Sequence, residues 1–366
     1  MKTKIRFLNN TLEGGGAERV LVNLLKMMPE DKYDISLVTV TGGVFAKEIP
    51  DHVKYHQIIK GHSAISKLLT KLIYKMPPKI FDVLFLPGRM DVEIAYMHGF
   101  PTKMISCKCK TTEKTYAFVH GDFSVHFSVS SFYKTKEQCF KEYEKFTRAC
   151  FVSEDALRGF RNTVGNIKNG VVIHNVIDFQ DINRKAEEAP AFSFKQKVFR
   201  MVSVGRLDPV KAFDRLIRIV KKLEDSVHIQ LVIAGDGPER RKLEDFISET
   251  GCKSVFLTGF LQNPYPVMAQ ADLYVCSSLQ EAYSTSVAES VGLGVPVLTT
   301  KCAGMHEILD GGACGIVVEN DEKALFDKIQ EFIRDPDMLI HFKKKAGLER
   351  DRLLSIDRLG DYAKLF

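Results

Sequence analysis

The stretch from Cys276 to Glu307 reads C-S-S-L-Q-E-A-Y-S-T-S-V-A-E-S-V-G-L-G-V-P-V-L-T-T-K-C-A-G-M-H-E. Its two glutamates, Glu281 and Glu289, stand eight positions apart. The apolar run Leu273-Tyr274-Val275-Cys276 before it has the composition of a buried strand, and a helix is expected to open at Ser286. One carboxylate then sits on a loop beyond the carboxyl end of a strand, and the other on the first turn of the next helix. In an open α/β sheet that corner is where ligands bind. A helix N-terminus there attracts phosphate, and carboxylates accept hydrogen bonds from sugar hydroxyls. A purely structural account of Glu289 also exists: Ser286-Val287-Ala288-Glu289 has the spacing of a capping box.

Working outward, strand-like and helix-like segments alternate almost throughout, the pattern of parallel α/β architecture. Ile5–Leu8, Ile35–Val40, Val92–Met97, Tyr116–Val119 and Ala149–Val152 read as strands in the first half. In the second half Phe199–Val204, Ile229–Ala234, Val255–Leu257, Val295–Leu298 and Gly315–Val318 do so. Helices are expected at Ala17–Met28, 213–223, from Pro238, and at 322–333. Residues 180–197 carry the weakest pattern and read as a linker. The expected domains are 1–183 and 190–350, with an amphipathic last stretch at 353–366.

Three further motifs lie at strand-to-helix corners. Gly205-Arg206-Leu207-Asp208-Pro209-Val210-Lys211 places two cations on one loop. Arginine forks onto two phosphate oxygens and lysine acts as a point charge, a pair suited to a departing diphosphate. Gly14-Gly15-Gly16-Ala17-Glu18-Arg19 departs from the dinucleotide pattern because Arg19 holds the third glycine's place. Its bare backbone still permits close approach of a ligand. Ala117-Phe118-Val119-His120 ends a strand on a histidine, with His98 and His126 as rivals.

Together these motifs resemble the retaining glycosyltransferases of family four. The E-x7-E corner, the G-R-L-x(3)-K loop and the G-G-G-A-E-R run carry the likeness, the last one in the manner of bacterial polysaccharide enzymes. It implies the GT-B fold, α/β, with two Rossmann-like domains facing across a cleft and the final helix crossing back onto the first. It implies a hexosyltransferase that takes a sugar from a nucleotide sugar, UDP first and GDP second, to a growing capsule, lipopolysaccharide or other lipid-linked glycan. Arg206 and Lys211 would then hold the diphosphate, Glu281 the sugar hydroxyls and Glu289 the ribose. His120 would contact the sugar from the first domain. Gly15, Gly16, Gly205, Tyr283 and Ser284 would line the donor site, Phe260 would lie where the backbone meets the base, and Asn175 would sit in an N-x-x-D stretch near the cleft. The family usually has glycine after the first glutamate; here it is Ala282.

The resemblance implies front-face transfer with no side-chain nucleophile and no cofactor. No D-x-D is recognised anywhere along the chain, so a metal-held diphosphate is not expected. Three other readings share these features in part: a nucleotide-sugar epimerase of the same fold, a Rossmann oxidoreductase, and a non-catalytic sugar-nucleotide binder.

Composition narrows the class. Apolar residues make up 45% of 366 and charged residues 27%, ordinary for a globular enzyme. No run reaches the ~18 apolar residues a membrane span needs. The N-terminal apolar run reads as a first strand rather than a signal peptide. The eight cysteines show no zinc spacing and suit a reducing cytosol. Residues 1–180 hold 26 basic and 18 acidic side chains, the remainder 26 and 28. The basic half suits an anionic membrane surface or a phosphorylated lipid. Within it, 62–76 reads as an amphipathic helix with Lys67, Lys71 and Lys75 beside Leu68, Leu69, Leu72, Ile73 and Met76, placing a cytoplasmic enzyme at the inner face of the membrane. Nothing in the composition points to nucleic acid.

Overall fold

The structure is a computed structural model that describes residues 1–61, 63–124, 131–357 and 359–366. It divides into two compact units, Met1–Ile177 with Asp357–Phe366, and Asp178–Ile356. Each is a parallel sheet flanked by helices.

The first unit carries β1 (Thr3–Asn9), β2 (Tyr33–Thr41), β3 (Lys54–Ile59), β4 (Val92–Ala95), β5 (Lys114–Val119), β6 (Arg148–Phe151) and β7 (Gly170–Val172). Its helices are α1 (Gly16–Met27), α2 (Ala64–Tyr74), α3 (Pro78–Phe85), α4 (Phe100–Ile105), α5 (Lys136–Tyr143) and α6 (Glu154–Thr163). Strand order is β3-β2-β1-β4-β5-β6-β7, all pairs parallel. The chain runs outward from β1 to β3, then restarts at β4 on the other side of β1. The reversal leaves a crevice at the carboxyl ends of β1 and β4.

The second unit opens with α7 (Phe179–Ala186), followed by β8 (Phe199–Val204), α8 (Phe213–Leu223), β9 (Ile229–Ala234), α9 (Arg240–Thr250), β10 (Val255–Gly259), α10 (Tyr265–Ala269) and β11 (Leu273–Cys276). Then come α11 (Thr285–Gly292), β12 (Val297–Thr300), α12 (Met305–Ile308), β13 (Gly315–Val318), α13 (Glu322–Arg334) and α14 (Pro336–Leu354). Strand order is β10-β9-β8-β11-β12-β13, again parallel, with the reversal between β8 and β11. A last short helix, α15 (Leu359–Ala363), belongs to the first unit.

Burial explains the apolar runs. Parallel strands are covered on both faces, so they carry continuous apolar sequence rather than alternation. β9, with every residue from Ile229 to Ala234 buried, is the clearest case. The helices bury one stripe each: α8 sets Phe213, Leu216, Ile217, Val220 and Leu223 into the second core.

Several expectations shift. The stretch 180–197 is not all linker. Its first part is α7, capped by Asp178, whose side chain accepts from the Asp181 amide at 2.9 Å. Phe179 and Ile182 of that helix are buried, so the unit boundary falls between Ile177 and Asp178. The stretch 353–366 is two pieces, the end of α14 and then α15, and the switch of unit comes at Asp357. β3 escapes sequence reading because Lys54, His56 and Gln57 make it polar at the sheet edge. The basic helix runs over 64–74, while His62 and His126 lie outside the described residues.

Candidate functional site

The reversal between β8 and β11 gathers most of the expected donor residues in one unit. Gly205, Arg206 and Lys211 lie on the loop from β8 to α8, and Glu281 lies on the loop after β11. Lys211 Nζ donates to Glu281 Oε1 at 2.6 Å, and Ser278 Oγ donates to the same oxygen at 2.7 Å. Burial acts to lower the Lys211 pKa, but the adjacent Glu281 carboxylate outweighs it and the ammonium is held above its usual range.

The loop that carries Lys211 is fixed by its neighbours. Ser277 Oγ donates to the Lys211 carbonyl at 2.8 Å, and the Leu279 amide donates to the Val210 carbonyl at 2.7 Å. Ala212, directly after Lys211, adopts a left-handed conformation at φ 48°. A non-glycine residue at that conformation is a local strain of the kind found at functional sites. The opposite loop is pinned from below. The Ser278 carbonyl accepts from Thr300 Oγ1 at 2.6 Å and from Asn320 Nδ2 at 3.2 Å. Close backbone packing completes the corner. The Gly205 amide donates to the Ala234 carbonyl at 3.0 Å, and Gly235, at φ 151°, faces the Gly205 carbonyl where any side chain would collide.

Arg206 differs from Lys211. Its side chain is 58% exposed, and its nearest anion is Asp208 at 3.3 Å. Phe260, after β10, lies at the same carboxyl edge two strands away and is also exposed. Glu289 is buried and receives the Tyr265 hydroxyl at 3.3 Å. The helix holding it opens at Thr285 with Ser284 as its first cap, not at Ser286. Ser286 and Glu289 are therefore not cap and third residue, and the capping-box explanation of Glu289 fails. Glu289 stands on the second turn. Ser284 is buried, and its hydroxyl lies 3.3 Å from Ser286 Oγ instead of capping the helix. Tyr283 precedes it and is half-buried.

The remaining expected residues belong to the first unit. Gly15 caps α1, and its amide donates to the Glu18 carboxylate, so this helix start carries its own acid. Gly16 is the first residue of α1. Arg19 turns away, bonding Glu48 at 2.7 Å over the Phe45 ring. His120 follows β5 and His98 follows β4. Burial lowers both imidazoles, His120 to about 3 and His98 to about 4, so both are neutral at ordinary pH. The His120 imidazole bonds to the Tyr96 main chain, and its Nε2 has no hydrogen-bond partner among the described residues. Asn175 follows β7 at the sheet edge, buried, with its Oδ1 likewise unpartnered among the described residues.

Sequence reading missed Ser278, Thr300 and Asn320, which position Glu281 rather than face a ligand. Ser277-Ser278 at the end of an apolar strand was the available signal. It also passed over the chain's D-x-D, Asp335-Pro336-Asp337, which proves to be a helix start: Asp335 Oδ1 accepts from the Met338 amide at 3.0 Å and caps α14. Among the described residues no group of His, Cys, Asp and Glu side chains is arranged to hold a metal ion.

Residues 184–348 match the family described as glycosyl transferases group 1. The second unit is a group 1 glycosyltransferase domain. The match covers nearly the whole of the second unit, including the Arg206, Lys211, Glu281 and Glu289 corner. Across 92% of both chains this glycosyltransferase is 27% identical to an N-acetylgalactosaminyltransferase of Campylobacter jejuni, whose name gives its acceptor as a diphospho-undecaprenol-linked sugar. Over 38% of its length it is 31% identical to LpsD, a lipopolysaccharide core biosynthesis glycosyltransferase of Rhizobium meliloti. In fold it is similar to HepE of Anabaena, solved in complex with UDP and glucose, at a TM-score of 0.76 and 19% identity over 99% of this chain and 98% of that one. WaaG, a glycosyltransferase of lipopolysaccharide biosynthesis, gives a TM-score of 0.68 at 16% identity over 99% and 98%. These likenesses establish the GT-B fold and a hexosyltransferase activity.

Proposed function

We propose that this glycosyltransferase moves a hexose from a UDP-sugar to a saccharide carried on a polyprenyl diphosphate, with retention at the anomeric carbon and without a metal ion or cofactor. The observation that carries it is the Lys211–Glu281 pair at the reversal between β8 and β11, beside an exposed Arg206. On arrival of donor, Lys211 and Arg206 take the diphosphate and Glu281 is released toward sugar hydroxyls. Glu289 takes the ribose hydroxyls beneath Tyr265. Gly205, Tyr283 and Ser284 offer backbone to the diphosphate and sugar, and Phe260 offers a ring face to the base. Gly15 and Gly16 approach the donor phosphates. Neutral His120 accepts a sugar hydroxyl at Nε2, and Asn175 supports the same side.

As the bond from C1 to the phosphate oxygen breaks, negative charge grows on the leaving group, and fixed cations there lower the barrier. The acceptor hydroxyl attacks C1 from the same face, and its proton passes to the leaving phosphate oxygen. No side-chain nucleophile is required. The C. jejuni relative supports the acceptor class and an α linkage through its name, and HepE supports UDP as carrier.

Thermal shift against UDP, GDP, ADP and dTDP, with and without magnesium, tests the donor reading. A rise with UDP alone, unchanged by magnesium, is expected from mass action. A rise only with magnesium would overturn the metal-free arrangement, and a rise only with GDP would replace the base.

The acceptor class implies work at a membrane surface, and α2 and α3 support a lipid partner. Ile65, Leu68, Leu69 and Leu72 of α2 are exposed, as are Ile80, Val83 and Leu84 of α3. Large apolar residues so concentrated mark an interaction surface. Lys67, Lys71, Lys75 and Lys79 flank them, and no acidic residue falls between Ala64 and Phe81. That charge suits an anionic leaflet. No described helix is long and apolar enough to cross a membrane. Vesicles containing phosphatidylglycerol should sediment the protein at low salt, and Leu68→Glu with Val83→Glu should abolish this. Equal sedimentation of that double variant would sink the reading.

A further inference from the structure

We infer that Tyr362, in the C-terminal segment, is a positioning residue that sets the imidazole plane of His120. This rests on the reading of His120 as a contact of the transferred sugar.

His120 stands one residue beyond the last paired position of β5, where Val119 faces Phe151. The strand ladder therefore does not fix its orientation, and neighbouring rings must. Tyr96 lies 4.9 Å from it at 43°, and Phe118 lies 6.1 Å from it at 19°. Phe118 is in turn stacked with Tyr362 at 5.6 Å and 10°, and with Tyr96 at 5.2 Å and 27°. Tyr362, Phe118 and His120 thus form a nearly parallel series braced by Tyr96.

Tyr362 is fully buried although it comes from the far end of the chain. The segment bearing it is held at two other places. The Tyr116 hydroxyl donates to the Leu365 carbonyl, and the Phe366 ring meets Tyr33 edge-on at 5.7 Å. Parallel aromatic contacts restrict ring rotation, and a close-packed series passes a displacement on rather than absorbing it. Removing the Tyr362 ring lets Phe118 tilt into the space. The His120 imidazole then loses its fixed plane, and Nε2 is no longer held at one angle.

The test uses the full-length chain. Tyr362→Phe keeps the ring and should turn over within about twofold of the parent. Tyr362→Leu fills much of the volume without a ring and should lower kcat by about tenfold while leaving the Kd for UDP unchanged. In a His120→Ala background, Tyr362→Leu should cost no further turnover, because residues acting through one another are not additive. Phe118→Leu interrupts the same series from β5 and should behave alike, which covers failure of the Tyr362 variant to fold. Imidazole 15N spectra should show a single His120 tautomer in the parent and a mixture in Tyr362→Leu. Equal losses in both backgrounds, or an unchanged tautomer in Tyr362→Leu, would overturn the inference. Parent-like turnover by His120→Ala would instead overturn the catalytic reading of His120, and the tautomer measurement would still decide the positioning.

Discussion

Lys211 and Glu281, seventy residues apart in sequence, share a 2.6 Å ion pair on facing loops at the one place in the second unit where the strand order reverses. Their side chains are only 22% and 11% exposed. A pair so enclosed costs desolvation that its own attraction barely offsets, so its stability value is small while removal of one partner is expensive. In the proposed reaction it keeps a cation and an acid ready beside the phosphate.

Lys211→Ala should therefore damage both properties. Turnover should fall by about 10²–10³, the usual loss for one charge-stabilising group. Stability should fall by about 3 kcal/mol, because Glu281 stays enclosed without its cation. Lys211→Ala with Glu281→Gln should recover most of the stability and none of the turnover, measured by urea midpoints and product formation. Recovery of turnover in the double variant would remove Lys211 from the reaction.

Arg206 separates the two effects. It is largely exposed and pairs only loosely with Asp208, and surface ion pairs contribute about 0–1 kcal/mol. Arg206→Ala should leave the melting temperature nearly unchanged and still reduce turnover by ten- to a hundredfold, with weaker UDP binding by calorimetry. An unchanged rate would leave Lys211 as the phosphate's one cationic partner of this loop.

Gly235→Ala should be among the most harmful single substitutions outside the charged residues. The new methyl would meet the Gly205 carbonyl, a backbone atom that cannot swing aside. A cost of about 3 kcal/mol or more is expected, with displacement of the loop that carries Arg206. Thermal denaturation of Gly235→Ala beside Gly251→Ala separates this collision from backbone strain, since Gly251 is also left-handed at φ 61° but has open space around it.

A buried charge cluster in the first unit gives a pH prediction. Burial pushes the Glu93 carboxyl up to about 7, although Arg6 and Lys108 beside it act to lower it. Arg6 Nη1 lies 3.4 Å from it and Lys108 Nζ 3.8 Å. The folded chain keeps this proton between about pH 4.5 and 7, where the unfolded chain releases it. Its contribution to stability is thus complete below about pH 4.5 and is lost as pH rises through 7. Glu93→Gln cannot titrate, so the parent's stability relative to this variant should fall from pH 5 to pH 8. Parallel pH curves for the two proteins would show that Glu93 ionises normally.

The sequence by itself determined the two parallel α/β units and the strand-to-helix corners that carry Arg206, Lys211 and Glu281. Short apolar runs rich in β-branched residues and bounded by turn signals read as strands covered on both faces, and Arg206, Lys211 and Glu281 fall on the loops that follow such runs, with Glu289 on the next helix. It misplaced what depended on partners distant in the chain. The linker reading of 180–197 failed at Ile182, whose helix packs against α10, α11 and α14. The helix start at Ser286 failed because Ser284, Thr285 and Ser286 are all compatible with a cap, and the helix opens after Ser284. The polar β3 exists because β2 offers it a ladder. Only the tertiary structure could bring Lys211 to Glu281, pin Ser278 beneath them through Thr300 and Asn320, and set Tyr362 in line with Phe118 and His120. Each of those relations joins residues separated by many turns of chain, and local pattern carries no information about which distant side chain arrives.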